Sequence, residues 1–154
     1  MDPLLQRLPS AEQDKLKAAE FPEWISPMLA TLSHDPFSAP DWIYERKLDG
    51  ERCLVFADQG EIRLLSRNRK SLNDTYPELE QALSELENLQ MVADGEIVAF
   101  EGDVTSFARL QQRMQLQSRE EARESGVHVY FYLFDCLYLG NFDLRELPLR
   151  RRKE

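Results

Sequence analysis

The stretch Trp42-Ile43-Tyr44-Glu45-Arg46-Lys47-Leu48-Asp49-Gly50-Glu51-Arg52-Cys53-Leu54-Val55-Phe56 holds two β-branched or aromatic runs separated by a turn dipeptide. Trp42 to Tyr44 and Cys53 to Phe56 read as strands, and Asp49-Gly50 between them is a strong hairpin signal. On a strand, Glu45 and Lys47 leave the same face, two positions apart. A two-residue hairpin at Asp49-Gly50 makes Arg52 the cross-strand partner of Lys47. That placement matters chemically. A free lysine, with a pKa near about 10.4, is almost wholly protonated at neutral pH, and a neighbouring cation or desolvation is what lowers it toward nucleophilic use. The same residues also read as a solvated, charged hairpin tip.

Downstream, Asp58-Gln59-Gly60 turns the chain into a second strand, Glu61 to Leu65. Pro77 sits where a first helical residue belongs, and Leu79, Leu83 and Leu86 give that helix one apolar stripe. Met91 to Phe100 returns to strand. Thr105 or Ser106 caps a helix whose Phe107, Leu110 and Met114 share a face, and residues 119–124 read as a charged helix or loop. Val127 to Leu139 is nearly continuous in apolar and aromatic residues, which predicts a strand buried on both sides. Upstream, Ser10 and Gln13 form a weak capping box opening a short helix through Ala11–Ala19. Leu4, Leu5, Leu8 and Leu16 could lay an apolar edge on the body. The segment Phe21 to Pro40 carries four prolines, which block long regular structure. Strands joined by hairpins, with a few helices and no βαβ alternation, predict an α+β fold with mainly antiparallel sheet and flanking helices.

Composition bounds the function. At 154 residues, 42% hydrophobic and 31% charged, this is one ordinary globular domain's worth of chain. Its apolar runs fall short of the roughly 20 residues that a membrane helix needs, and its N-terminus lacks the zones of a signal peptide. Cys53 and Cys136 sit in apolar runs with no CxxC, so they read as buried thiols of a reducing cytosol. The net charge of −9 argues mildly against nucleic acid as a partner unless a basic patch is gathered locally. His34 and His128 have no ligand partners at metal spacing and read as structural. No Walker-type GxxxxGK occurs, so ATP, if bound, is held by another route. Asp94 and Glu96 share a strand face, as paired carboxylates for a hard Mg²⁺ ion would, and equally as a solvent-facing pair would. Phe134, in the most apolar run, reads from its surroundings as core.

The segment Glu45 to Arg52 resembles the E-x-K-x-D-G-x-R motif of the covalent nucleotidyltransferases, which comprise ATP-dependent DNA ligases, RNA ligases and mRNA capping enzymes. Further segments match in order: Pro27-Met28-Leu29-Ala30, Ser66-Arg67-Asn68 ahead of Tyr76-Pro77-Glu78-Leu79, Asp94-Gly95-Glu96-Ile97-Val98, and Phe134-Asp135-Cys136-Leu137-Tyr138-Leu139. The last continues through Asp143-Leu144-Arg145 and Leu147-Pro148-Leu149 to Arg152-Lys153. The resemblance runs over residues 27–154, with 1–26 as a peripheral N-terminal segment, and is nearest to the ligase domain of ligase D-type enzymes of prokaryotic end joining.

The resemblance implies that the fold is the first half of the adenylation fold, and that Lys47 attacks the α-phosphate of ATP to give lysyl-AMP with Mg²⁺ as cofactor. It assigns Glu45 and the backbone beside Arg46 to the adenine edge, and places Leu48 in the nucleotide pocket. Arg52 and Arg67 fall to ribose and phosphate, Glu96 to ribose or metal, and Phe134 to stacking on the base. The implied partner is nicked or broken DNA in repair and recombination, alongside end-joining repair proteins, in a prokaryotic cytoplasm with no membrane association. Two other readings stay open: a nucleotide- or partner-binding module without turnover, and an RNA ligase or capping-type relative.

Two departures bear on these expectations. Arg69 follows Ser66-Arg67-Asn68 where the family usually has glycine; a left-handed backbone there strains an arginine, although its charge could meet a phosphate. The sequence also ends at Glu154, where the family continues into a second half with paired lysines and then an OB domain. On that comparison the chain is expected to be a ligase's front portion, weak or inactive by itself.

Overall fold

A computed structural model describes residues 2–86 and 89–153. Its centre is an antiparallel sheet whose middle strands pair over long stretches. In chain order the elements are α1 (Ser10–Gln13), β1 (Lys17–Ala18), β2 (Glu51–Asp58), β3 (Glu61–Ser66), α2 (Pro77–Ser84), β4 (Gln90–Glu101), β5 (Val104–Thr105), α3 (Phe107–Met114), α4 (Arg119–Glu124), β6 (Val129–Leu139), β7 (Phe142–Asp143) and α5 (Leu149–Arg152). The sheet order is β1-β7-β6-β4-β2-β3, with β5 paired to β4. The α+β class and antiparallel pairing are as the sequence predicts.

The local chemistry accounts for the elements. The β2–β3 hairpin closes with Asp58 opposite Glu61, and its turn residues Gln59 and Gly60 both have positive φ, 50° and 94°. That is the mirror-image turn matching the strand twist. Pro77 starts α2 at its first position, where a missing N–H costs nothing. Ser106 caps α3 by accepting from the Arg109 amide. Asn73 accepts from Leu64 N–H at 3.0 Å and donates to the Ile62 carbonyl at 2.8 Å, satisfying backbone groups along the outer strand.

Alternation along β2 and β4 sorts residues to two faces. Cys53, Val55, Ala57, Ala93, Ile97 and Ala99 face a core shared with Leu72, Tyr76, Leu110 and Val127, under α2 and α3. Arg113 of α3 is buried in that layer, its Nη2 donating to both Glu78 carboxylate oxygens at 2.8 and 2.6 Å and its Nε to the Thr75 carbonyl at 2.8 Å. Leu54, Phe56, Val92, Leu137 and Tyr138 face the other way and are covered by Ile25, Phe21 and Trp24. That cover reaches one end of the sheet; Arg52, Asp94 and Glu96 share this face at the other end, where a cavity opens.

Several sequence expectations fail for physical reasons. Residues 42–49 form no strand, and Asp49-Gly50 is not a hairpin. Arg52 pairs across to Glu96 of β4, not to Lys47. Gly50 is instead pressed flat on β4, where a Cβ would lie 2.1 Å from the Ile97 carbonyl oxygen. Trp42 and Tyr44 turn to Phe37, with ring centroids 4.6 and 6.3 Å apart. The helix expected over 11–19 is only the single turn of α1, because Lys17–Ala18 leaves to pair with β7. Its capping box does not form; the Gln13 side chain donates to the Gln6 and Leu8 carbonyls. Leu86 lies beyond the end of α2 and is exposed. β6 is buried only toward its C-terminal end, since Tyr130, Tyr132 and Leu133 face the open end of the sheet. Leu5 is buried beneath Leu139, Leu144 and Leu147, with Leu8 and Leu16 against the same cluster.

Candidate functional site

The cavity has a volume of about 610 Å³, within the range of small-molecule sites. Two sources build it. The sheet supplies Arg52 from β2, Asp94 and Glu96 from β4, and Phe134 and Asp135 from β6. The irregular segment ahead of β2 supplies Glu45, Arg46, Lys47 and Leu48. Every nucleotide-site residue expected from the sequence therefore reaches one cavity, except Arg67. Arg67 is exposed on the turn after β3 and does not line it.

Arg52 organises the floor. Its Nε and Nη2 bind both Asp94 carboxylate oxygens at 2.6 Å, a bidentate fork that fixes the guanidinium plane. Nη2 also reaches the Met28 carbonyl at 3.1 Å, which ties the segment 27–30 to the cavity mouth. The guanidinium carbon lies 4.7 Å from the Phe134 ring centroid. The cation expected beside Lys47 is thus spent on a buried acid. Burial raises the Asp94 carboxyl above its ordinary value despite Arg52, while the Asp94 hydrogen bond raises Arg52. We take the ionised pair as the resting state, because the fork geometry satisfies both charges.

Glu96 is half-buried, and loss of hydration raises its pKa against the pull of Arg52, the Gly50 amide and Lys47. The two last links join the Lys47 segment to the sheet: the glycine that lies flat on β4 also turns its amide to Glu96. Asp94 and Glu96 share a face as expected, but they are not a metal pair, since Asp94 is committed to Arg52. Among the described residues no group of three or more His, Cys, Asp or Glu side chains could hold a metal ion. Glu96 is nonetheless fit to be one carboxylate ligand of a Mg²⁺ ion whose remaining ligands are phosphates and water. Phe134 is partly exposed and lines the cavity, so the apolar run did not make it core.

Three contacts escaped the sequence reading. Arg152 of α5 forks onto Asp135 at 2.7 and 2.9 Å. Lys153 donates to the Glu45 carboxylate and to the Phe134 carbonyl. Arg69 adopts φ 64°, the left-handed turn foreseen for the glycine it replaces, and lays its guanidinium 4.8 Å from the Trp24 ring centroid. An acid inside an apolar strand, Asp135, was the available signal for the first, because a buried carboxylate requires a partner. Cys53 is buried and Cys136 half-buried, both free. Burial pushes both thiols up, Cys136 to about 12, so both are inert filler as expected. No helix among the described residues is long and apolar enough to cross a membrane.

Comparison with known proteins agrees with this geometry. Residues 27–154 match the ATP dependent DNA ligase domain. The multifunctional non-homologous end joining protein LigD of Pseudomonas aeruginosa is 37% identical over 133 residues, covering 86% of this chain and 15% of that protein. The solved ligase domain of LigD from M. tuberculosis superposes with a TM-score of 0.60 at 33% identity, over 71% of this chain and 33% of that one. A mycobacterial DNA ligase D complexed with ATP and MES gives the same score, identity and coverage. The chain thus spans 15% of that LigD protein and 33% of the solved ligase chains. The match over residues 27–154 shows that this chain belongs to the ATP-dependent DNA ligase domain family.

Proposed function

We propose that the cavity is a nucleotide site in which Lys47 becomes adenylylated, as the first step of a ligase that seals nicked or broken DNA in end joining. The observation that carries this is convergence: Lys47, Glu45, Arg52, Glu96 and Phe134 line one cavity of nucleotide size although they span ninety positions of sequence. Lys47 loses a proton, its amine nitrogen bonds to the α-phosphorus, and the bond to pyrophosphate breaks. Phe134 offers a stacking face for the base, Glu45 a polar edge contact, and Arg52 the N–H groups of Nη1, which Asp94 does not take, for a ribose oxygen. Arg67 lies outside the cavity, so it takes no part in this reading of the nucleotide site. Glu96 would be the carboxylate that holds a Mg²⁺ ion, which would supply charge neutralisation at the phosphates. The ATP in the mycobacterial ligase complex supports the same nucleotide here. DNA, end-joining repair proteins and a cytoplasmic location follow from the same likeness to LigD.

A second reading, nucleotide binding without turnover, is favoured by the commitment of Arg52 to Asp94, which removes charge from the phosphates. Intact mass after incubation with ATP and Mg²⁺ decides between them. One added AMP on the native chain and none on Lys47→Ala establishes the covalent step. ATP binding without an adduct establishes the binding module.

A further inference from the structure

The outer strands of the sheet are protected at their edges. β3 is covered by the Asn73 side chain and by the Leu65–Ser71 bridge, and β1 is only two residues long. β6 differs. On it, β7 reaches only Tyr138 and Leu139, so Val129 to Leu133 have β4 on one side and, among the described residues, no strand on the other. The Tyr132 carbonyl oxygen faces β4, 2.6 Å from where a Cβ on Gly95 would lie. Peptide groups alternate in direction along an antiparallel strand, so those of Val129, Phe131 and Leu133 face the open side. Beyond Leu133 the register on β4 shifts, and Lys153 caps the Phe134 carbonyl, which ends the open edge.

Natural edges are commonly guarded by charge, above all lysine, or by proline. This one has neither: residues 127–134, Val-His-Val-Tyr-Phe-Tyr-Leu-Phe, hold no Asp, Glu, Lys, Arg or Pro in a chain that is 31% charged. Tyr130, Tyr132 and Leu133 stand exposed along it. Both tyrosine rings lean on Phe100, with centroids 5.3 and 6.4 Å away.

We propose that this edge pairs with the same edge of a second copy of the chain, antiparallel about a two-fold axis at Phe131. In that register Phe131 exchanges N–H···O bonds with the partner's Phe131, and Val129 does so with the partner's Leu133. Tyr130 then stands opposite the partner's Tyr132 on the cavity face, as an aromatic cross-strand pair. Parity supports the register, since the outward peptide groups meet only one another. A two-fold contact also requires a self-complementary patch, and an edge without charge meets its own copy with no like charges opposed. A five-residue edge spans about 17 Å. A strand pair of that length buries less than the roughly 1,200 Å² of a standard stable interface, so the dimer forms and parts reversibly. Tyr132 and Leu133 also line the cavity, and the partner strand extends its wall.

The test is analytical ultracentrifugation of the native chain over a range of protein and salt concentrations, with Tyr130→Glu and Leu32→Glu alongside. Leu32 is equally apolar and exposed but lies off the edge, so it controls for added charge and for general stickiness. The native chain is expected to pass from monomer to dimer as its concentration rises. It should do so more readily in high salt, because each copy carries a net charge of −9 and salt screens the repulsion. Tyr130→Glu should weaken the dimer by about tenfold or more, since the two-fold axis counts each lost pair twice, while Leu32→Glu should match the native chain. Amide hydrogen exchange reads the register: Val129 and Phe131 should slow as the dimer forms, and Tyr130 and Tyr132, whose amides face β4, should not. A folded native chain that stays monomeric, undiminished dimerisation by Tyr130→Glu, or equal loss in both variants overturns the proposal.

Discussion

The sheet around Arg52 and the segment carrying Lys47 meet in one cavity but are built on opposite terms. β2 lies between β3 and β4, and from Cys53 to Ala57 its residues are fully buried. Residues 42–49 form no regular structure; Trp42, Tyr44, Glu45 and Lys47 are all exposed. The acids and the arginine are thus held by a scaffold that cannot yield without unfolding, while the amine sits on chain that can move at little cost. In the proposed reaction, an amine that sheds a proton, attacks and then carries a nucleotide gains from that freedom. The groups that receive charge gain from being fixed beforehand. Gly50 marks the boundary between the two regimes, flat against β4 and joined to Glu96 through its amide.

The contrast can be broken in the sheet first. Leu54→Ala empties a fully buried site and should cost about 2–5 kcal/mol in chemical denaturation. Arg52→Met leaves the Asp94 carboxylate buried without its counterion and should cost about 3 kcal/mol. Tyr44→Ala, on the exposed segment, should stay within about 0.5 kcal/mol of native. If it destabilises as much as either sheet variant, the two regions are not distinct.

Glu96→Gln sharpens the comparison through pH. The folded-state pKa of Glu96 is raised by burial, so protonation favours the folded chain. Its contribution to stability is present below the ordinary glutamate value, near about 4.3, and is lost as pH rises through the raised folded value. The substitution should therefore stabilise at pH 7 and be neutral at pH 4 in denaturation series at the two pH values, while nucleotide binding at pH 7 weakens. A uniform loss at both would mean that Glu96 supports the fold.

The smallest effect belongs to Arg69. Glycine relieves a left-handed backbone worth roughly 1–2 kcal/mol, but removes the stacking on Trp24, worth about 0.5–1 kcal/mol when exposed. Arg69→Gly should shift stability by about 1 kcal/mol or less, toward stabilisation. A larger loss would give the stacked guanidinium a structural role.

What was legible in the sequence follows the same division. β2, β3, β4, α2 and α3 were readable because period, proline and cap signals agreed with their tertiary surroundings. Phe107 was the weak member of its stripe, being exposed. The Trp42 to Tyr44 run misled because β-branched and aromatic content describes a surface that can pack, not one that does. Asp49-Gly50 misled because a dipeptide that permits a tight turn also permits a close approach to a neighbouring strand. That Lys47, Glu96 and Phe134 gather at one cavity was legible only through the resemblance, since they share no local pattern. The contacts of Lys153 and Arg152 were missed because a cation's partner more than a hundred or some seventeen positions away leaves no periodic trace.

The most direct test of a mobile lysine working against a fixed floor is to locate the AMP. Native chain incubated with ATP and Mg²⁺, digested and sequenced by tandem mass spectrometry, should carry the nucleotide on the peptide containing Lys47, bonded at that side chain. AMP on Lys153 or Lys70 instead, with Lys47 unmodified, would contradict the account.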